Sequence, residues 1–409
     1  MSNCNASESL PLNKRRKKTN EEASPSPTGF LWSLPNEVSL NCLAQVSRAD
    51  LAALAITSKG HRNIAKSYEL CHLRWQMGCF EASTDVCLRI FPEPTPRWFI
   101  LNPNRRLSPI SSNRRQAPHS SSFVAVDGGV YVIGGVRYGE PISDVWFLDC
   151  FTHTWQRAPS MNTPRASAAA GLLEGKVHVF GGVADCPNGA DNFEVLDPKT
   201  QTWTSSLMKP AAGIVENHLV ARDIKHSVVT NDGKMLCLVD EAGQSFCMAP
   251  SRGVGYGDID SKPGSRNDWC DIGGDLYCRG TRGRILWCDH LDWKEVKGLE
   301  ELQDHLCGWG HRWGLPSTKV IYDITRLSVN SSTGNLVIYW SAQLEDDPES
   351  LELRSAEISV EKREGGEVWG KIEWSGSVFK LDPLSDSYNV KVLFFCFCLC
   401  LKFVFSIVV

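Results

Sequence analysis

From residue 119 to residue 208 the apolar positions fall in short runs cut by glycine, aspartate and proline, and the series is written twice. In the first copy residues 123–126 lead through Asp127-Gly128 into residues 130–133, which stop at Gly134-Gly135. A third run, Val145–Asp149, follows, and Trp155 opens a fourth. The second copy starts at Pro164, turns at Glu174-Gly175 into residues 177–180, stops at Gly181-Gly182, and continues through Phe193–Asp197 to Trp203. Gly128 and Gly134 map onto Gly175 and Gly181 at an offset of 47 residues, and Asp149 and Trp155 onto Asp197 and Trp203 at 48. Short apolar runs bounded by turn residues predict strands, so each copy is a unit of four strands.

A fixed period of this size with strand-like content predicts the blades of a β-propeller; a β-sandwich has no such period. After residue 208 the pattern weakens. Asp232-Gly233 begins another hairpin, with Val239-Asp240 where the diglycine belongs, and Gly273-Gly274 and Gly334-Asn335 begin two more. About 290 residues at about 47 per unit fit six blades. One of these is expected to combine strands near residues 98–101 with C-terminal strands and so close the ring.

Upstream, the period changes. Leu34-Pro35-Asn36-Glu37 reads as a helix start, followed by Val38, Cys42, Leu43 and Val46 at helical spacing. Ser47-Arg48-Ala49-Asp50 reads as a capped restart before Leu51, Leu54 and Ala55, and Leu70, Leu73 and Trp75 give a third helix. The expected organisation is a disordered tail over 1–29, a three-helix module over 30–78, a propeller over 91–390 with its clearest repeats at 119–161 and 164–208, and an apolar tail over 391–409. The fold class is mainly β, with a small all-α module ahead of a propeller of about six four-stranded blades.

The diglycine, the aspartate-ended strand and the tryptophan about 20 residues later resemble the kelch repeat. The resemblance makes Gly134, Gly135, Trp155, Gly181, Gly182 and Trp203 its structural positions. The helical stretch, from Leu34-Pro35 through Ser47–Leu51 to Ser58-Lys59 and Arg62, resembles the F-box. An F-box followed by a kelch array is similar to the plant F-box/kelch proteins. This resemblance implies a substrate-recognition adaptor of a ubiquitin ligase. Its F-box docks a Skp adaptor and through it a cullin, and its propeller holds an unknown protein target. Leu34, Pro35, Val38, Leu43, Leu51 and Leu54 are the implied Skp-contact set, expected to divide between that contact and the module's own core.

Composition narrows the rest. A net charge of −4 gives no general attraction to nucleic acid. Sixteen cysteines without regular paired spacing, and a polar, basic N-terminus where a secretory leader would be apolar, predict a reducing compartment, the nucleus or the cytoplasm. Lys14, Arg15, Arg16, Lys17 and Lys18 form a nuclear-import candidate or a solvated charge run. Cys270, Cys278, Cys288 and His290 are the densest group of metal-ligand types, but their spacing does not match a zinc site, and they read as core thiols. No phosphate-cradling loop or nucleophile elbow occurs, so a non-catalytic chain without cofactor or metal is expected. Trp309, Arg312 and Trp313, close together in the segment 301–319, are a candidate substrate contact. Residues 392–409 are almost unbroken in apolar character, interrupted by Lys402, and suit a strand as well as a helix. An atypical terminus is the preferred reading over a membrane anchor, for which Cys396, Cys398 and Cys400 are acylation candidates. A propeller scaffold without a ligase role is the competing function.

Overall fold

A computed structural model of the chain describes residues 34–65, 67–79, 83–91, 96–102, 104–110, 117–126, 128–150, 154–183, 193–205, 224–230, 233–240, 245–250, 253–256, 267–289, 292–310, 318–330, 333–343, 351–381 and 389–398. It divides into two compact units, Met1–Cys79 and Phe80–Val409.

Among its described residues the first unit contains four helices rather than three: α1 (Asn36–Ala44), α2 (Arg48–Thr57), α3 (Lys59–Ala65) and α4 (Tyr68–Gln76). Each start after the first has a side-chain cap, because the first turn's amides lack partners of their own. Ser47 accepts from the Asp50 amide at 3.1 Å, Ser58 from the His61 amide at 3.0 Å, and Ser67 from the Leu70 amide at 3.2 Å. Leu43, Ala44, Leu51 and Leu70 form the core of this unit. The buried Arg74 of α4 donates to the carbonyls of Ala44, at 3.0 Å, and Val46, closing the carboxyl end of α1.

The second unit holds six four-stranded antiparallel sheets, the blades. The first blade joins Asn389–Cys398, Ser83–Phe91, Arg97–Leu101 and Leu107–Pro109, in that spatial order. The second runs Ser122–Val126, Gly129–Ile133, Val145–Asp149, Thr154–Ala158, and the third Ala169–Leu173, Lys176–Phe180, Phe193–Asp197, Thr202–Ser205. The fourth runs Ile224–Thr230, Met235–Asp240, Ser245–Ala249, Gly253–Tyr256, and the fifth Asn267–Ile272, Asp275–Arg279, Ile285–Asp289, Asp292–Glu295. The sixth runs Arg326–Asn330, Asn335–Gln343, Leu351–Arg363, Glu367–Leu381. The leading strands neighbour one another from the second blade round to the sixth, then to Asn389–Cys398 of the first blade and back to Ser122–Val126, so the circuit closes.

The propeller therefore reaches past both of its expected limits. Ser83–Phe91 precedes residue 91, and Asn389–Cys398 takes in eight residues of the apolar tail as the leading strand of the closing blade. Among the described residues no helix is long and apolar enough to cross a membrane.

Six apolar clusters fill the spaces between consecutive blades. The strand Gly129–Ile133 shows why its sequence reads as an unbroken apolar run. Val130 and Val132 pack toward the first blade, while Tyr131 and Ile133 pack toward the third, so both faces of the strand are buried. Strands covered on both faces lose the alternation of a half-exposed sheet.

Candidate functional site: the helical face and the second-blade hairpin

The helical unit divides the implied Skp-contact residues as its packing requires. Leu43 and Leu51 are 4% and 6% exposed and belong to the core, which removes them from a surface contact set. Leu34 and Leu54 are half-buried, and Pro35 and Val38 are exposed, Val38 by 44%. Ile56, on α2, is 78% exposed and is the residue sequence reasoning passed over. An apolar helix residue left this open is consistent with a helix-in-groove contact.

In the propeller the diglycines follow the strands Gly129–Ile133 and Lys176–Phe180. Gly134 and Gly135 have φ of +59° and +105°. A Cβ on Gly134 would lie 2.4 Å from the Arg165 carbonyl oxygen, and one on Gly135 would lie 2.5 Å from Ser121 Oγ and 2.7 Å from the His119 carbonyl oxygen. Gly182 meets the Ala166 carbonyl oxygen at 2.4 Å in the same way. Gly181, with φ of +71°, gives its carbonyl to Arg165. Trp203 donates from Nε1 to the Pro159 carbonyl at 2.7 Å, and Trp155 packs edge-on against Trp98 of the first blade at 6.0 Å.

Arg165 joins the second and third blades. Its guanidinium donates to the Gly181 carbonyl at 2.8 Å and, from Nη2, to Glu194 Oε1 at 3.1 Å; the two side chains are 1% and 2% exposed. The Glu194 carboxylate also accepts from the amides of Asn162 at 2.7 Å and Thr163 at 3.1 Å, so both of its oxygens have donors. A buried ion pair is tolerated when such extra bonds satisfy it. The Arg165 backbone accepts from the Gly135 amide at 2.8 Å and donates to the Ile142 carbonyl at 3.1 Å.

These backbone bonds hold the base of a small hairpin, Val136–Arg137 with Glu140–Pro141. Its tip is Tyr138-Gly139, with φ of +54° and +89°, a turn whose first position is sterically unfavourable for a bulky side chain. Tyr138 is 99% exposed. Beside it, Asp144 bridges Arg137 at 3.0 Å and Arg157 at 3.4 Å. An aromatic ring and two arginines on a rigid base are hot-spot residue types. Sequence analysis singled out no residue of the segment 137–144. The signal it carried was the Tyr-Gly pair between two strand-like dipeptides.

Of the other substrate-contact candidates, Trp309 lies on the short strand Cys307–Gly310, paired with Thr318–Ile321; Arg312 and Trp313 lie outside the described residues. So do Lys14, Arg15, Arg16, Lys17 and Lys18. Cys270 and Cys278 are buried in two different inter-blade clusters, and burial pushes the Cys270 thiol well above its usual range. Among the described residues no group of three or more metal-ligating side chains occurs. A cavity of about 650 Å³ at the fifth and sixth blades is lined by Arg284, Trp287, Lys294, Lys297 and Glu367. His178, buried against Phe193 at 5.6 Å, has its pKa lowered to about 4 by burial and, secondarily, by Lys176.

The kelch-repeat domain family described as FKB95 matches residues 98–379, which takes in the second to fifth blades, nearly all of the sixth, and two of the four strands of the first. F-box/kelch-repeat protein At4g39590 of Arabidopsis thaliana is 31% identical over 396 residues, covering 91% of this chain and 92% of that protein. The chain belongs to the F-box/kelch-repeat family. Putative F-box/kelch-repeat protein At3g46050, from the same plant, is 31% identical, with 90% and 93% covered, and At4g39240 is 30% identical, with 88% and 90% covered. The helical unit precedes the matched kelch region, and the exposed Pro35, Val38 and Ile56 lie on it.

Proposed function

We propose that this F-box/kelch-repeat chain is the substrate-recognition adaptor of a Skp/cullin/F-box ubiquitin ligase, acting in the nucleus or cytoplasm without chemistry of its own. The observation that carries the reading is the exposed apolar surface of a small helical unit, at Pro35, Val38 and Ile56, on a chain whose other unit is a closed propeller. The helical face takes the Skp adaptor. The second-blade hairpin, with Tyr138 at its tip, offers the propeller a contact for a protein target. The chain then raises the effective concentration of a target lysine near the charged conjugating enzyme.

The test is capture of a purified Skp adaptor by the full chain and by a Val38→Asp, Ile56→Asp variant. Both residues are exposed, so the variant keeps its fold, checked by its unfolding midpoint. Binding by the parent and loss of binding in the variant supports the reading. Equal binding by both moves the contact elsewhere on the chain. Failure of the folded parent to bind leaves a propeller scaffold with a helical cap.

A further inference from the structure

Cys237 and Cys247 lie directly opposite each other on neighbouring antiparallel strands of the fourth blade, in the register Leu236 with Met248, Cys237 with Cys247 and Leu238 with Phe246. Residues opposed in this way have Cα atoms about 4.5 to 5.5 Å apart, inside the span of about 4.4 to 6.8 Å that a disulfide bridges. Their sulfurs are 2.9 Å apart, closer than a non-bonded sulfur pair and longer than the about 2.05 Å of a disulfide. Both are thiols here. They belong to the apolar cluster between the fourth and fifth blades, with Trp269, Cys278 and Trp293 around them.

We propose that Cys237 and Cys247 form a redox-modification site, a cross-strand dithiol that a peroxide closes to a disulfide at the interface of the fourth and fifth blades. The two cysteines differ in access. Cys237 is 2% exposed, whereas Cys247 is half-buried and is the one a small oxidant reaches. The sulfur–sulfur hydrogen bond holds the Cys237 thiol below its usual range despite burial, and a contact of 3.9 Å to Thr230 Oγ1 adds to this. A thiolate, not a thiol, is the attacking species in each step.

In the first step the Cys247 thiolate attacks one peroxide oxygen. The O–O bond breaks, the departing hydroxide takes up the proton that Cys247 released and becomes water, and Cys247 becomes a sulfenic acid. The Cys237 thiolate then attacks the Cys247 sulfur, the S–O bond breaks, and the departing hydroxide takes a proton to become water. In total two thiols and one hydrogen peroxide give one disulfide and two waters; the sulfurs lose two electrons and the peroxide gains them. The bond draws together strands that are already paired and needs no change of register.

The two cysteines fall on one tryptic peptide, residues 235–252, which makes the test direct. The native full chain is treated with hydrogen peroxide, unfolded, alkylated with iodoacetamide and digested. The expected result is a 235–252 peptide lighter by two hydrogens and alkylated at neither cysteine, restored to double alkylation by dithiothreitol. In a Cys237→Ser variant Cys247 is expected to stop at the sulfenic acid, trapped by dimedone. Persistent double alkylation of the native peptide overturns the proposal. Pairing of either cysteine with Cys278 does so too, as does equal disulfide formation in chain unfolded before the peroxide is added, because native geometry would then have no part in it.

Discussion

Replacing Glu194 with alanine removes the centre of the network that joins the second and third blades. Arg165 and Glu194 are 1% and 2% exposed, so the substitution leaves a guanidinium buried with the Gly181 carbonyl but without its counter-charge. Breaking a buried pair from one side costs about 3–5 kcal/mol. The amides of Asn162 and Thr163 lose their acceptor as well, at about 1–3 kcal/mol for each group left unsatisfied. These contributions share one site and are not additive, so the expected loss is about 4 kcal/mol, a large fraction of the 5–15 kcal/mol that holds a typical domain together. Glu194→Gln, which keeps an acceptor but loses the charge, is expected to cost less than the alanine variant. Joint replacement by Arg165→Met and Glu194→Leu is expected to recover only the part of the loss that comes from the unpaired guanidinium, because the Asn162 and Thr163 amides still lack their acceptor. Urea unfolding followed by tryptophan fluorescence measures all four proteins. Hydrogen exchange at the Gly135 amide, bonded to the Arg165 carbonyl at 2.8 Å, reports whether the Tyr138 hairpin loosens with the network. A Glu194→Ala cost below about 1 kcal/mol, with an unchanged denaturant slope, would refute the reasoning.

Three further outcomes follow from the same geometry. His178 titrates near pH 4 in the folded chain against 6.5 for an ordinary histidine, so between those values the unfolded chain binds the proton and the folded chain does not. Its contribution to stability is complete above pH 6.5 and falls as pH drops toward 4, by up to about 3 kcal/mol; a His178→Leu variant is expected to lose that part of the acid limb in melting curves taken across this window. Gly182→Ala places a Cβ 2.4 Å from a carbonyl oxygen at φ of +70°, while Gly175→Ala, at +76°, meets nothing within 4 Å. The first is expected to cost about 2–4 kcal/mol and the second about 1 in chemical denaturation, and equal costs would count against close packing as the reason for the diglycine. A chain ending at residue 388 lacks the leading strand of the closing blade and is expected to unfold at lower denaturant and less cooperatively than the full chain; an unchanged transition would mean that Asn389–Cys398 does not close the ring.

What was legible in the sequence depended on whether a residue's partner lay nearby. Residues 123–126 and 130–133 face each other across a tight turn, so the strand pattern, the glycine positions and the period were all readable there. Ser83–Phe91 was not readable. Its partner on one side is Asn389–Cys398, at the far end of the chain, and no turn signal links the two. The short helix Lys59–Ala65 has no buried residue and so no apolar stripe to betray it. In the helical unit the sequence marked the apolar residues but not which way they pointed. Leu43 and Leu51 turned out to be core, while Ile56, on the same helix as Leu51, faces outward. Tyr138 escaped notice because its turn places a bulky residue where glycine or asparagine is usual.

The most direct test of the adaptor account is assembly from purified parts. The full chain, a Skp adaptor and a cullin amino-terminal domain are mixed and run by size-exclusion chromatography with light scattering. The account predicts a single species with the mass of all three, in which the cullin joins the chain only when the Skp adaptor is present. A well-folded chain that elutes alone, with the Skp adaptor and cullin in a separate peak, would contradict it.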